Sequence, residues 1–169
     1  GIGNPALAIV AVHEGASIAP DVLEGASIGL CGPEPCVAGE SFTINPADAT
    51  GPAGGTVDAD VNLKFDADGM NTGAEIQGWS YGVCIADPAK AQAVAATSAG
   101  TDTETVNGGN PPGFESVDAI GDGAVHGVVI DLTAVNVLVA TNDFTALTVT
   151  YEILMEEGTV CVKACDKVL

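Results

Sequence analysis

The run Gly78-Trp-Ser-Tyr-Gly82 fits the pattern G-x-S-x-G, which sets a nucleophilic serine on a strained turn between a strand and a helix. Asp102, Asp118 or Asp122 and then His126 follow in the serine–acid–histidine order that acyl-transfer chemistry can use. The pattern requires its turn, however. Ser80 instead sits inside a period-two run that continues through Val83 and Ile85. No His-Gly-Gly oxyanion sequence precedes it, and the chain lacks alternating strand and helix signals. Ser80 is therefore read as an ordinary strand serine. No catalytic residue is assigned, and the chain is not expected to be an enzyme.

A second constellation is acidic. Asp66, Asp68 and Asn71, with Glu75 nearby, gather the oxygen ligands that a hard cation such as calcium prefers. The spacing departs from the EF-hand rule, and Asp and Gly are ordinary turn residues, so an acidic turn is favoured over a calcium site. Asp58 and Asp60 fall on one exposed strand face and would add oxygens. No other cofactor is expected. The two histidines, His13 and His126, lack a supporting ligand pattern and are expected to be structural. Trp79, Tyr81 and Val83 share one face of their strand, and Trp79 is expected in the core.

Five cysteines point to an oxidising compartment and hence to a secreted, extracellular or cell-surface protein. Cys31 and Cys36 bracket Gly-Pro-Glu-Pro, a turn-forming insert that brings them together. Cys161 and Cys165, read on one strand, lie about 13 Å apart, beyond the roughly 7 Å that a disulfide spans, so they do not bond each other unless the strand ends between them. Cys84 is expected to pair with one of them, leaving one thiol free or bonded to another chain. A zinc site is disfavoured, with no histidine nearby and no paired C-x2-C knuckles.

Composition sets the wider frame. Among 169 residues there are 23 acidic and four basic side chains, a formal net charge of −19. Such a chain repels phosphate backbones and anionic lipid, which makes nucleic acid and membrane surfaces poor partners, and neither nucleic-acid binding nor membrane insertion is expected. No apolar run reaches the roughly 20 residues of a membrane span. The absence of an initiator Met or a charged leader suggests a mature chain whose signal has been removed. Hydrophobic residues reach 47% with only 4% aromatics, and the small, β-branched remainder with 22 glycines suits closely packed sheets joined by tight turns.

Two regions differ in texture. Residues 1–38 form an extended N-terminal segment, whose echo Glu14-Gly-Ala-Ser-Ile18 and Glu24-Gly-Ala-Ser-Ile28 suggests paired short strands. Its apolar residues Ile2, Leu7, Ile9, Val10 and Val12 are candidates for an assembly strand. Residues 39–169 carry strand patterns at Ser41–Asn45, Thr56–Phe65, Ile76–Ala86, Val125–Leu132, Asn136–Ala140, Thr145–Met155 and Thr159–Ala164. Asp87-Pro88 is read as capping one helical turn across Ala89–Ala93, with a strand near Val94. Asn107–Gly113 excludes regular structure. The expected fold is an all-β, jelly-roll or Ig-like antiparallel β-sandwich of about seven to nine strands.

The order of these features resembles a known family. Gly54-Gly-Thr-Val57, Ile76-Gln-Gly-Trp-Ser-Tyr-Gly-Val-Cys84 with Asp87-Pro88 after it, Asn107-Gly-Gly-Asn-Pro-Pro-Gly-Phe114, Gly127-Val-Val-Ile130 and Leu147-Thr-Val-Thr-Tyr-Glu-Ile153 are similar to cohesin-like domains of secreted bacterial proteins, over about residues 40–169. The resemblance implies a nine-stranded jelly roll that binds a dockerin-like partner, with related sandwiches binding polysaccharide.

Two roles follow as expectations. The first is an extracellular structural protein that self-assembles into a filament, tube or surface layer, its N-terminal segment donating a strand to the next copy. The second is a cohesin-type recognition module for a dockerin-like protein or a glycan.

Overall fold

A computed structural model describes residues 10–13, 16–18, 43–47, 49–64, 75–139, 144–154 and 157–165. Its strands in chain order are β1 (Val10–His13), β2 (Ala16–Ile18), β3 (Thr43–Pro46), β4 (Ala49–Pro52), β5 (Thr56–Lys64), β6 (Glu75–Ile76) and β7 (Gly78–Ile85). They continue with β8 (Ala91–Thr97), β9 (Phe114–Ala119), β10 (Gly123–Val129), β11 (Leu138–Val139), β12 (Phe144–Ile153), β13 (Glu157–Val160) and β14 (Val162–Cys165). Every pairing between them is antiparallel. Among the described residues one 3-10 turn, Asp102–Thr105, interrupts the pattern. No helix among the described residues is long and apolar enough to cross a membrane.

Two sheets form the sandwich. One has the order β2-β1-β7-β10-β9, with β14 also on β7, and the other has the order β3-β5-β12-β8. Alternation explains their facing sides. Along β5, Ala59, Val61 and Leu63 are buried while Asp58 and Asp60 are exposed. Along β7, Trp79, Tyr81, Val83 and Ile85 point into the same core, which Leu147, Val149, Tyr151 and Ile153 of β12 fill from the other side. Close approach of β7 and β10 requires glycine at two positions: a Cβ at Gly78 or Gly123 would run into the carbonyl oxygens of Val128 and Val83.

On β12 the register slips between Thr145 and Leu147, a bulge that lets both Phe144 and Leu147 face inward. The 3-10 turn repairs the ladder there. Asp102 Oδ2 accepts the Thr145 amide at 2.8 Å, and the buried Thr103 hydroxyl donates to the Ala146 carbonyl at 2.8 Å.

Several boundaries differ from the sequence reading. No helical turn spans Ala89–Ala93. Lys90 N–H closes a short turn on the Asp87 carbonyl, and β8 begins at Ala91, because the alternating small residues 91–97 pair with β12. The strand expected over Thr159–Ala164 is two strands, β13 starting earlier at Glu157 with Gly158 paired to Gly51 of β4, and β14 starting at Val162. The strand expected over Val125–Leu132 is displaced toward the N-terminus and ends at Val129, where Ile130 turns inward. β9, which joins the sheet beside β10, was not anticipated, since its run Phe-Glu-Ser-Val-Asp-Ala carries little apolar alternation.

Candidate functional site

Ser80 and His126 end up as near neighbours in sequence register but on opposite faces. Ser80 stands across from Gly127, and His126 across from Tyr81. Side chains alternate along a strand, so Ser80 is exposed while His126 is fully buried. The sharp turn that an activated serine requires is replaced by regular strand from Gly78 to Ile85. Asp102 is committed to the Thr145 amide, and Asp118 is exposed on β9 opposite Val125. The carboxylate that reaches His126 belongs to Glu115, at 2.8 Å from Nε2.

That contact is part of a buried chain. The Tyr81 hydroxyl lies 3.1 Å from His126 Nδ1. In the tautomer protonated at Nε2, the imidazole donates to Glu115 and accepts the tyrosine proton, which satisfies all three groups. The hydrogen bond from His126 is the largest cause of a Glu115 pKa below the ordinary carboxylate value; a Ser98 hydrogen bond adds to it, and partial burial opposes it. Burial raises the Tyr81 phenol well above its usual value. Trp79 and Tyr81 meet the His126 ring edge-on. The group stitches β7, β10 and β9 together within the core, and Trp79 takes its expected core position.

The remaining sequence candidates divide by location. Cys84 and Cys165 form the disulfide expected between β7 and the last strand, with Cα atoms 5.8 Å apart. Cys161 is disulfide-bonded as well, so it is not the leftover thiol. Cys31 and Cys36 lie outside the described residues, as do Asp66, Asp68 and Asn71, while Glu75 is exposed on β6 opposite Val139. Among the described residues no three His, Cys, Asp or Glu side chains gather as a metal site. Asp58 and Asp60 do share one exposed face, where they accept the hydroxyls of Thr150 and Thr148 at 2.7 and 2.8 Å. Ile2, Leu7 and Ile9 fall outside the described residues. Val10 and Val12 lie on β1, which pairs with β7 of the same chain at Val10↔Ser80 and Ala11↔Trp79.

A different group of residues has the form of a binding surface. At the end of the β9–β10 ribbon, Phe114 and Val129 are register partners on the outward face, 54% and 38% exposed. Leu132 lies against Gly113, where any Cβ would come within 3.2 Å of its Cγ. Leu132 and Val135 are 73% and 77% exposed, the highest values among the large apolar side chains described.

The loop beneath them is built rigidly. Asp131 Oδ1 accepts the Thr133 amide and hydroxyl at 2.8 and 2.7 Å. Its Oδ2 accepts the Asn136 amide and side-chain nitrogen, each at 3.0 Å. Asn136 Nδ2 also donates to Asn107 Oδ1 at 2.8 Å, tying the loop to the segment after the 3-10 turn. These hydrogen bonds, Thr133's foremost, hold the Asp131 carboxyl down to about 2. Ala134 is left-handed at φ 54, a conformation that costs a non-glycine residue about 1 kcal/mol. A polar scaffold thus fixes a strained backbone that turns two aliphatic side chains into water.

Sequence reasoning passed over this patch. In the sequence Leu132 falls at the end of the strand pattern Val125–Leu132, and Phe114 falls in no strand pattern that would give it a face. The available signal was Asp131-Leu-Thr133, an aspartate placed to bond its own backbone two residues on. No protein-family model, curated protein or solved structure matches the chain.

Proposed function

We propose that the chain is a secreted, non-catalytic recognition module, binding a protein partner at the apolar end of the β9–β10 ribbon. The observation that carries this reading is the exposure of Leu132 and Val135 on a loop pinned by Asp131. Exposed aliphatic side chains cost solvation, and a preorganised loop lowers the entropy lost on binding, so the combination suits an interface. A protein is favoured over a polysaccharide because Trp79, Tyr81 and Tyr151 are buried in the core, and the patch sets a single aromatic ring, Phe114, beside three aliphatic side chains. The likeness of residues 40–169 to cohesin-like domains points the same way.

A second reading, self-assembly by strand donation, is favoured by one feature. Among the described residues β1 meets β7 at Val10↔Ser80 and Ala11↔Trp79, an edge position that the same strand of a neighbour could take. Sedimentation velocity and electron microscopy of the purified chain, with and without residues 1–13, separate the two. The recognition reading expects a monomer at all concentrations. Fibres or tubes that vanish with the deletion would replace it by strand donation.

A further inference from the structure

The patch has a one-sided electrostatic setting. Asp118 is exposed on the same outward face of β9, two positions beyond Ser116 and four beyond Phe114. Asp131, in the loop itself, stays ionised down to about pH 2. Glu104 is exposed three residues before Asn107, which is bonded to the loop through Asn136. The described lysines are distant. Lys163 is the described lysine on this sheet, aligned with Cys84, whereas Val129 aligns with Gly78. Six residues of strand and two strand spacings separate them, about 20 Å along and about 10 Å across. That is more than twice the roughly 8 Å screening length at physiological salt. Lys90 is paired with Asp87 at 3.3 Å, and Lys64 belongs to the other sheet.

A second copy of this chain would bring a formal −19 against −19. We infer that this end of the ribbon, with its exposed apolar residues Phe114 and Val129 on the strands and Leu132 and Val135 on the loop that follows, is the docking site for a cationic protein segment, one with aliphatic anchors flanked by lysine or arginine. The inference rests on the recognition reading above and specifies its partner. Burying the four side chains supplies the contact energy, while the carboxylate rim steers and selects by charge.

Three 14-residue amphipathic peptides test it, built from leucine with lysine, with glutamine or with glutamate, and titrated calorimetrically into the intact protein. The leucine–lysine peptide should bind at least about tenfold more tightly than the leucine–glutamine peptide at 50 mM salt, with the advantage shrinking toward unity at 500 mM. The glutamate peptide should bind most weakly. The variant Leu132→Asp/Val135→Asp is decisive because it adds two negative charges. Docking at the patch predicts that it weakens the lysine peptide by about tenfold or more. Diffuse attraction to an acidic coat predicts tighter binding instead. Both positions are exposed, and an unchanged melting curve would show that the variant is folded.

Equal or tighter lysine-peptide binding by the variant overturns the inference, as does failure of every peptide to bind. If the glutamine and lysine peptides bind equally and both lose affinity in the variant, the cationic partner is excluded while the recognition reading stands.

Discussion

His126 and Tyr81 face each other directly across β10 and β7, with the tyrosine hydroxyl 3.1 Å from the imidazole Nδ1 and both residues buried. A histidine that a sequence motif offers as a catalytic base is thereby spent inside the sandwich, pointing away from Ser80. Tyr81→Phe removes the hydroxyl and leaves the ring. The buried nitrogen then has no donor, and the variant should be less stable by about 1–3 kcal/mol in urea unfolding, with the fold retained.

Glu115 makes part of the stability pH-dependent. Its pKa in the folded protein lies below the ordinary value of 4.5, chiefly through His126. The sign follows from linkage: the carboxylate's contribution is complete above that value and is lost as pH falls toward the folded one. Other carboxylates titrate in the same range, Asp131 among them, so a difference isolates the effect. Urea midpoints of wild type and Glu115→Gln should be well separated at pH 7 and converge below about pH 4. A constant gap down to pH 3 would contradict the assignment.

The Cys84–Cys165 bond closes 81 residues of sequence and fastens β14 to the half of the β7 edge that β1 leaves unpaired. Replacing both cysteines by serine should cost about 2–4 kcal/mol. Amide exchange should quicken first in β14 and at Gly82–Ile85, the positions that pair with it.

Asp131→Ala removes the acceptor of four hydrogen bonds in the loop. The amides of Thr133 and Asn136 should exchange much faster, while the core strands stay protected. Because Leu132 and Val135 would then sample many positions, peptide affinity should drop even though neither side chain has changed.

The sequence made the sandwich legible where apolar and polar residues alternate, as in Thr56–Lys64 and Gly78–Ile85, because one face of each strand must be buried. The partner of Cys84 was legible in part: the sequence narrowed it to Cys161 or Cys165, but the expected single strand breaks at Cys161, and Cys165 is the one carried on β14 beside β7. Phe114–Ala119 escaped notice because an edge strand needs little apolar alternation, so its pattern carries no period. His126 looked isolated because its partners, Tyr81 and Glu115, are 45 and 11 positions away. The patch was hidden for the same reason. It is made by register between Phe114 and Val129 and by a glycine under Leu132, relations that exist only once β9 and β10 pair.

The most direct test of the central claim is a two-dimensional nitrogen–proton NMR titration of the intact protein with the leucine–lysine peptide. The account predicts shifts concentrated at Gly113, Phe114, Val129 and Leu132–Asn136, saturating together with one affinity. Shifts spread over the acidic face of β5 at Asp58 and Asp60, with the β9–β10 end unmoved, would contradict it.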